Sequence, residues 1–315
     1  MRGVPLRRSP RPQLTTLAVP QSAIGSKHIR SVAESMHTFA LQRPDEPAHA
    51  PAMADLETFS FSRVTTFEQC PRRYRYRYVD GVREAFQSIE AFMGQQVHAA
   101  VEWMFRERDA GRTPRVEQAV QFYSACFDSA RAQIRGALKV IKQGGNIEQY
   151  RRSGAEMVAD FHRTRFAADA LETIGLERHF LLEMASGGQF QGYIDRLARD
   201  RSGTIHIIDY KTGGRPPIRF GGKDGDQLEA YAIAMFAETA VDELVLMLEY
   251  LRNGSTQTRR IRRDETPEAE RRLAARIRVA AEASVFPPSP GTLCDWCGFN
   301  DLCEAYGQRA RVRVA

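Results

Sequence analysis

The sequence predicts a mixed α/β fold, a small mixed sheet sandwiched by helices with a further helical region ahead of it. Three observations predict it. The first half carries apolar residues at helical spacing, the chain after Leu176 breaks into short turn-bounded runs, and a helix then returns it to another strand. In the first half Ile89, Phe92, Met93, Val97, Val101, Met104 and Phe105 recur at helical intervals as far as the Gly111 breaker. Long helical patterns continue over 115–143 and 147–174, so the helical part spans about 86–175. Segments 176–185, 189–199 and 204–211 are short and alternate or run apolar. They are separated by Ser186-Gly187-Gly188 and Asp200-Arg201-Ser202-Gly203, both turn compositions, which predicts a three-stranded antiparallel meander. After a Gly-rich loop at 213–225, residues 226–239 resume the helical period, 243–252 form a strand and 256–262 its hairpin partner. Thr266 is the expected N-cap of a last helix, with Pro267 at its first position, where a missing N–H costs nothing.

Composition bounds the function. With 315 residues, 43 % of them apolar, and five cysteines, the chain is neither collagen-like, nor a disulfide framework, nor wholly disordered. No run approaches the roughly 18 consecutive apolar residues of a membrane span. The net charge of +6 suggests a nucleic-acid partner until it is apportioned: residues 1–52 hold seven basic and three acidic side chains, which leaves only +2 for the rest. A basic binding surface must therefore come from local clustering. Residues 1–52 show no sustained apolar period and are expected to be a disordered extension, with 53–315 the structured domain. An extended start before Met53 and an organellar transit segment are both compatible with the Arg- and Ser-containing tail. No secretory signal is visible, so a cytoplasmic setting is expected.

The segment Thr204-Ile-His-Ile-Ile-Asp-Tyr-Lys-Thr212 is the most informative in the chain. Side chains alternate along a strand, so Ile205, Ile207, Asp209 and Lys211 share one side and the acid and amine project together at the strand end. Only five lysines occur among 45 basic residues, which makes Lys211 conspicuous. Alone, the pair reads equally well as a solvated ion pair. The preceding strand carries Gly192-Tyr-Ile-Asp-Arg196, and its Asp195 lies before the turn into the Asp209 strand. Two such acids can converge on one hard divalent cation. Upstream, Gly94, His98 and Glu102 lie four apart on one helix face, so an imidazole and a carboxylate can point to the same place. Gln227 and Tyr231 sit one turn apart on the later helix. There an amide and a phenol can bond phosphate or stack on a base, although polar capping of a surface helix explains them too.

The cysteines form a second constellation. Cys294, Cys297 and Cys303 give C-x2-C-x5-C, and Cys70 lies far upstream in Glu68-Gln-Cys-Pro-Arg-Arg-Tyr74. Clustered thiols point to metal, with zinc and an iron–sulfur cluster both open. Cys126, beside Phe122 and Phe127, reads as a small buried hydrophobe.

Together these residues resemble a known family. Gly94-x3-His98, Gly192-x2-Asp195, Asp209-Tyr-Lys211 and Gln227-x3-Tyr231, bracketed by one early cysteine and a late C-x2-C-x5-C, are similar to the RecB-like branch of the PD-(D/E)XK nucleases. Within that branch they are most similar to the iron–sulfur exonucleases that include Cas4 and the AddB nuclease domain. The resemblance covers about 59–306. It implies a restriction-endonuclease-like core over about 176–262 and a C-terminal iron–sulfur segment. It also implies that His98, Asp195, Asp209 and the Tyr210 carbonyl hold Mg2+ or Mn2+, that Lys211 orients the attacking water, and that Gln227 and Tyr231 position DNA. Cys70, Cys294, Cys297 and Cys303 would ligate a [4Fe–4S] cluster. The long helices at 115–174 exceed what a minimal Cas4 needs and favour a stand-alone exonuclease.

The function expected is a metal-dependent deoxyribonuclease acting on single-stranded ends in repair, recombination or CRISPR adaptation with a Cas partner. The alternative is a non-catalytic nucleic-acid-binding module, holding iron–sulfur or zinc, that partners a helicase. Cys70-Pro-Arg-Arg-Tyr-Arg-Tyr-Arg-Tyr78 alternates like a strand, but Pro71 can open a helix, and a helix is expected. Tyr74 and Tyr78 would then pack beside the cluster, with Arg73 and Arg77 on a neighbouring face that meets phosphate or simply water.

Overall fold

The structure, a computed structural model, describes residues 58–134, 136–185, 187–213 and 219–307, all within the unit Glu46–Ala315. The disordered tail expected for 1–52 lies outside the described residues. The elements run β1 (Thr58–Ser60), α1 (Phe61–Gln69), α2 (Pro71–Tyr74), β2 (Phe86–Ser88), α3 (Ile89–Asp109), α4 (Val116–Gln133), β3 (Ala137–Lys139) and α5 (Ile147–Thr164). They continue through β4 (Glu172–Glu183), β5 (Gln189–Arg199), β6 (Ile205–Lys211), α6 (Gly222–Glu238), β7 (Glu243–Tyr250), β8 (Ser255–Arg262) and α7 (Thr266–Ala281).

Among the described residues six strands form one mixed sheet in the order β1-β5-β6-β7-β8, with β4 on the free side of β5. The expected meander is present: β4, β5 and β6 are antiparallel. Its turns follow from their residues. Gly187 and Gly188 take φ of 86° and 80° at the first tip. At the second, Asp200 Oδ1 accepts from the N–H groups of Ser202 and Thr204. Helix α6 carries the chain from β6 to the parallel strand β7, and β8 closes a hairpin on β7. One face of the sheet packs on α6 through Ile194, Ile207, Leu228, Leu246 and Phe190. On the other face α3 and α5 bring Phe105 and Phe161 against Tyr210. The sheet flanked by helices is the fold class expected.

Several boundaries differ. The pattern over 115–143 stops being helical at Gln133, because Gly136 takes φ of 122° and Ala137–Lys139 pair in parallel with Phe86–Ser88. The expected helix over 147–174 ends at Thr164, and Glu172 already opens β4, which bulges between Thr173 and Gly175. Thr266 is the first helical residue rather than the cap; its hydroxyl donates to the Arg263 carbonyl at 2.7 Å. The segment after Cys70 is helical, as Pro71 suggested, and widens into a π-helical stretch over Arg75–Val79.

Candidate active site

Strand β6 delivers two charged groups to the α6 side. Lys211 Nζ lies 2.8 Å from Asp209 Oδ2 and donates to Gln227 Oε1 at 2.8 Å, while Gln227 Nε2 donates to the Tyr231 hydroxyl at 2.6 Å. Asp224 is a further 3.8 Å neighbour of the amine. Gln227 and Tyr231 are therefore one turn apart on one helix face, as the spacing predicts, but the group they address is Lys211. Tyr231 is only 5 % exposed and packs edge-on against Phe180, so its ring cannot stack on a base.

Strand β5 parts from β6 just here. The last pair is Arg196↔Ile208, and Asp195 fills the fork, its Oδ2 accepting the Tyr210 N–H at 2.8 Å. From α3, His98 Nδ1 approaches the same oxygen at 3.4 Å. Two glycines make this possible. A Cβ on Gly94 would lie 2.7 Å from Thr212 Oγ1, and one on Gly192 would lie 2.8 Å from the Phe180 ring and 2.9 Å from Tyr231. The first lets α3 pass the end of β6; the second lets β5 lie against α6. Both glycines of the sequence motifs are thus close-approach positions.

Glu102 does not join the site: it is buried and accepts from Arg106 at 2.6 and 2.8 Å, an ordinary one-turn helix pair. The carboxylate that does join is Glu177, which the sequence reading missed. Pairs Leu176↔Arg196 and Arg178↔Ile194 set it across from Asp195, and ligand atoms of His98, Glu177 and Asp195 lie within 4.8 Å of one another. Glu177 also has φ of 44°, the left-handed region that residues other than glycine seldom occupy and that costs about 1–3 kcal/mol. Counting register outward from the Ser186-Gly187-Gly188 turn would have found it.

The electrostatics are uneven. Burial pushes Asp209 up to about 6 even though Lys211 and His98 pull the other way. Burial also opposes ionisation of Asp195, but His98 and the Tyr210 N–H outweigh it and hold its pKa down. His98 is half-buried, which opposes its charge, yet Asp195 beside it raises its pKa to about 9. Lys211, against the pull of burial, is raised by Asp209. Asp209 Oδ2 is buried against the Lys211 ammonium. Three carboxylates, Glu177, Asp195 and Asp209, face one imidazole and one ammonium. Carboxylate oxygens in excess of the cations, beside one imidazole, are the donor set of a hard divalent cation, so these residues fit Mg2+ or Mn2+.

The profile of the PD-(D/E)XK nuclease superfamily matches residues 58–304. The chain belongs to that superfamily. The match takes in every element that builds the site, from α3 through α6. The crystal structure of SSO0001 is similar over 90 % of this chain and 98 % of the other, at 15 % identity and a TM-score of 0.35. No curated protein matches the chain.

Away from the nuclease site, Cys70, Cys294, Cys297 and Cys303 line one cavity of about 50 Å³ together with Tyr76 and Phe299. The N–H groups of Ser289 and Gly291 point at the sulfurs of Cys70 and Cys294, at 3.5 and 3.3 Å, and burial pushes the Cys297 thiol up. No three of these sulfurs come within the 4.8 Å mutual spacing that the His98 group shows among the described residues. Cys126 is buried, as expected. Tyr74 and Tyr78 do share a face, with ring centres 5.2 Å apart, but Tyr74 is buried against Phe67 and Phe286, and Tyr76 takes the place at the cavity. Arg73 and Arg77 converge on Glu84 at 3.2 and 3.8 Å. Among the described residues no helix is long and apolar enough to cross a membrane.

Proposed function

We propose that the protein is a metal-dependent DNA nuclease that hydrolyses phosphodiester bonds at single-stranded ends, in repair or recombination. The observation that carries the reading is the convergence of His98, Glu177 and Asp195 where β5 and β6 part, with the Asp209–Lys211 pair on the adjoining end of β6. A non-catalytic module would have no need of clustered carboxylates beside an oriented lysine. His98, Glu177, Asp195 and Asp209 are the residues that would hold Mg2+ or Mn2+. When bound, the cation supplies Lewis acidity at the phosphate and lowers the pKa of water. Lys211, fixed by Gln227 and charged through Asp209, places a positive charge where negative charge develops on the phosphate oxygens. The extension to single-stranded ends rests on the motif order shared with RecB-like nucleases, as does the assignment of 53–315 to one nuclease domain.

The four cysteines form the second part of the proposal, a [4Fe–4S] site. They line one cavity, and two receive backbone N–H groups. Free thiols suit a reducing, cytoplasmic setting. Visible absorbance of anaerobically purified protein is expected, and a colourless protein with stoichiometric zinc would overturn this part. For the nuclease itself the test is cleavage of end-labelled and circular single strands with Mg2+ or Mn2+, beside Lys211→Ala. Loss of the end-labelled strand alone, absent in the variant, is expected. Cleavage of circles would make it an endonuclease, and DNA binding without cleavage would favour the helicase-partner reading.

A further inference from the structure

The β4–β5 hairpin carries an exposed aromatic pair whose position is not explained by packing. Tyr193 is 45 % exposed, Leu181 is 50 % exposed, and His179 is exposed as well. His179 and Tyr193 are direct cross-strand partners with ring centres 4.8 Å apart at 47°, and His179 Nε2 lies 3.2 Å from Gln191 Oε1, which fixes the imidazole. The two rings pack on each other at a tilt while both residues stay exposed to solvent. A cross-strand aromatic pair stabilises a hairpin wherever it lies. This one lies beside the acids.

Its side of the sheet is set by its neighbours. Gly192 and Phe180, the adjacent positions along each strand, face Tyr231 of α6. Alternation then turns Tyr193 and His179 to the opposite face, where α3 packs and from which His98 reaches Asp195. Tyr193 precedes Asp195 by two residues and His179 follows Glu177 by two, so the backbone of Tyr193 stands about 7 Å from that of Asp195 along β5. Leu181, His179, Gln191 and Tyr193 form a strip without carboxylates or arginines beside the cation-binding group.

We propose that Tyr193 and His179 form a stacking platform for one unpaired base of the substrate strand, about one nucleotide from the phosphate held at Asp195 and Asp209. The proposal rests on the nuclease reading and names its substrate more closely. A base in a duplex already has both faces covered by its neighbours and cannot lie on a sheet, so the platform selects single strands. Aromatic stacking is indifferent to base identity, so it does so without sequence preference.

The test measures binding of a fluorescent oligothymidine by anisotropy, without divalent cation so that nothing is cut. Tyr193→Ala is expected to weaken binding about five- to hundred-fold, and Tyr193→Phe to keep it. Tyr193→Leu suits an exposed strand position and keeps the hairpin folded, so it separates loss of the π face from loss of structure. A single abasic residue walked along the oligonucleotide should weaken wild-type binding at one position, and Tyr193→Leu should abolish that position's penalty. Wild-type affinity in Tyr193→Leu, or an abasic penalty unchanged in it, overturns the platform. Mn2+-dependent cleavage by the wild type in the same samples tests the nuclease reading separately: a protein that cuts, with Tyr193→Leu binding normally, loses the platform alone.

Discussion

Strand β6 buries charge on both of its faces, and the two faces treat it differently. Behind the strand, beside Tyr210, Arg196 is 3 % exposed and every arm of its guanidinium is used. Nε donates to Thr173, one terminal nitrogen to Asp169, the other to the Leu171 carbonyl, and the Phe105 ring lies beneath at 3.8 Å. Asp169 also receives Arg108 at 3.2 Å. The cavity of about 220 Å³ next to them is bordered by one more pair, Arg165 with Glu249. In front of the strand Asp209 pairs with Lys211, and at the fork beside it Glu177 and Asp195 gather round His98, three carboxylates against two cations. A polar network in which every carboxylate has its own arginine ties α5 and the α5–β4 connection to the sheet. One left with surplus negative charge requires something from outside the chain.

Cutting into each face should give opposite results. Arg196→Ala removes the partner of a buried carboxylate and is expected to cost about 3–5 kcal/mol in urea unfolding, the largest stability loss of the set, with cleavage per folded molecule retained. Asp209→Asn should do the reverse. Cleavage should fall at least about 10²–10³-fold, while the metal-free variant gains about 1–3 kcal/mol at pH 7, because a carboxyl raised from 3.8 to about 6 is charged at a cost in the folded state. The sign follows from the shift. Below about pH 4 both states are protonated and the gain is absent; it grows through the interval and is full above about pH 6. Equal stability of wild type and Asp209→Asn at pH 7 would place that carboxylate in a charge-matched network like the one behind it. Gly192→Ala, which forces the Phe180 and Tyr231 rings apart, is expected to cost about 1–3 kcal/mol and to loosen Lys211 through Gln227. The smallest effect concerns protons. His98 keeps its proton up to about pH 9 beside Asp195, and a cation needs the neutral ring, so Mn2+ affinity should rise with pH from about 6.5 to 9 and flatten in His98→Gln. A pH-independent affinity in the wild type would remove His98 from the ligand set.

What the sequence disclosed follows from the range of each interaction. The meander was legible because Ser186-Gly187-Gly188 and the Asp200 turn are local, and the facing of Asp209 and Lys211 because strand alternation is local too. Gln227 and Tyr231 were correctly placed on one face, but a helix face does not say what it meets, and Lys211 comes from β6. Glu102 was misassigned because its helix position matched His98 while Arg106, one turn on, already claimed it. Glu177 was hidden twice, by a partner eighteen residues away across a hairpin and by a backbone conformation that composition does not signal. Pairing of Phe86–Ser88 with Ala137–Lys139 is likewise set by tertiary contact, which is why a helical pattern ran on through both segments.

The central claim is that the surplus negative charge in front of β6 is the seat of a catalytic cation. Calorimetric titration of Mn2+ into wild type, Asp195→Asn, Asp209→Asn and Arg196→Ala tests it most directly. Saturable binding in the wild type and in folded Arg196→Ala, weakened at least about tenfold in both acid variants in step with their loss of cleavage, is the predicted result. Undiminished Mn2+ binding in Asp195→Asn and Asp209→Asn would contradict it.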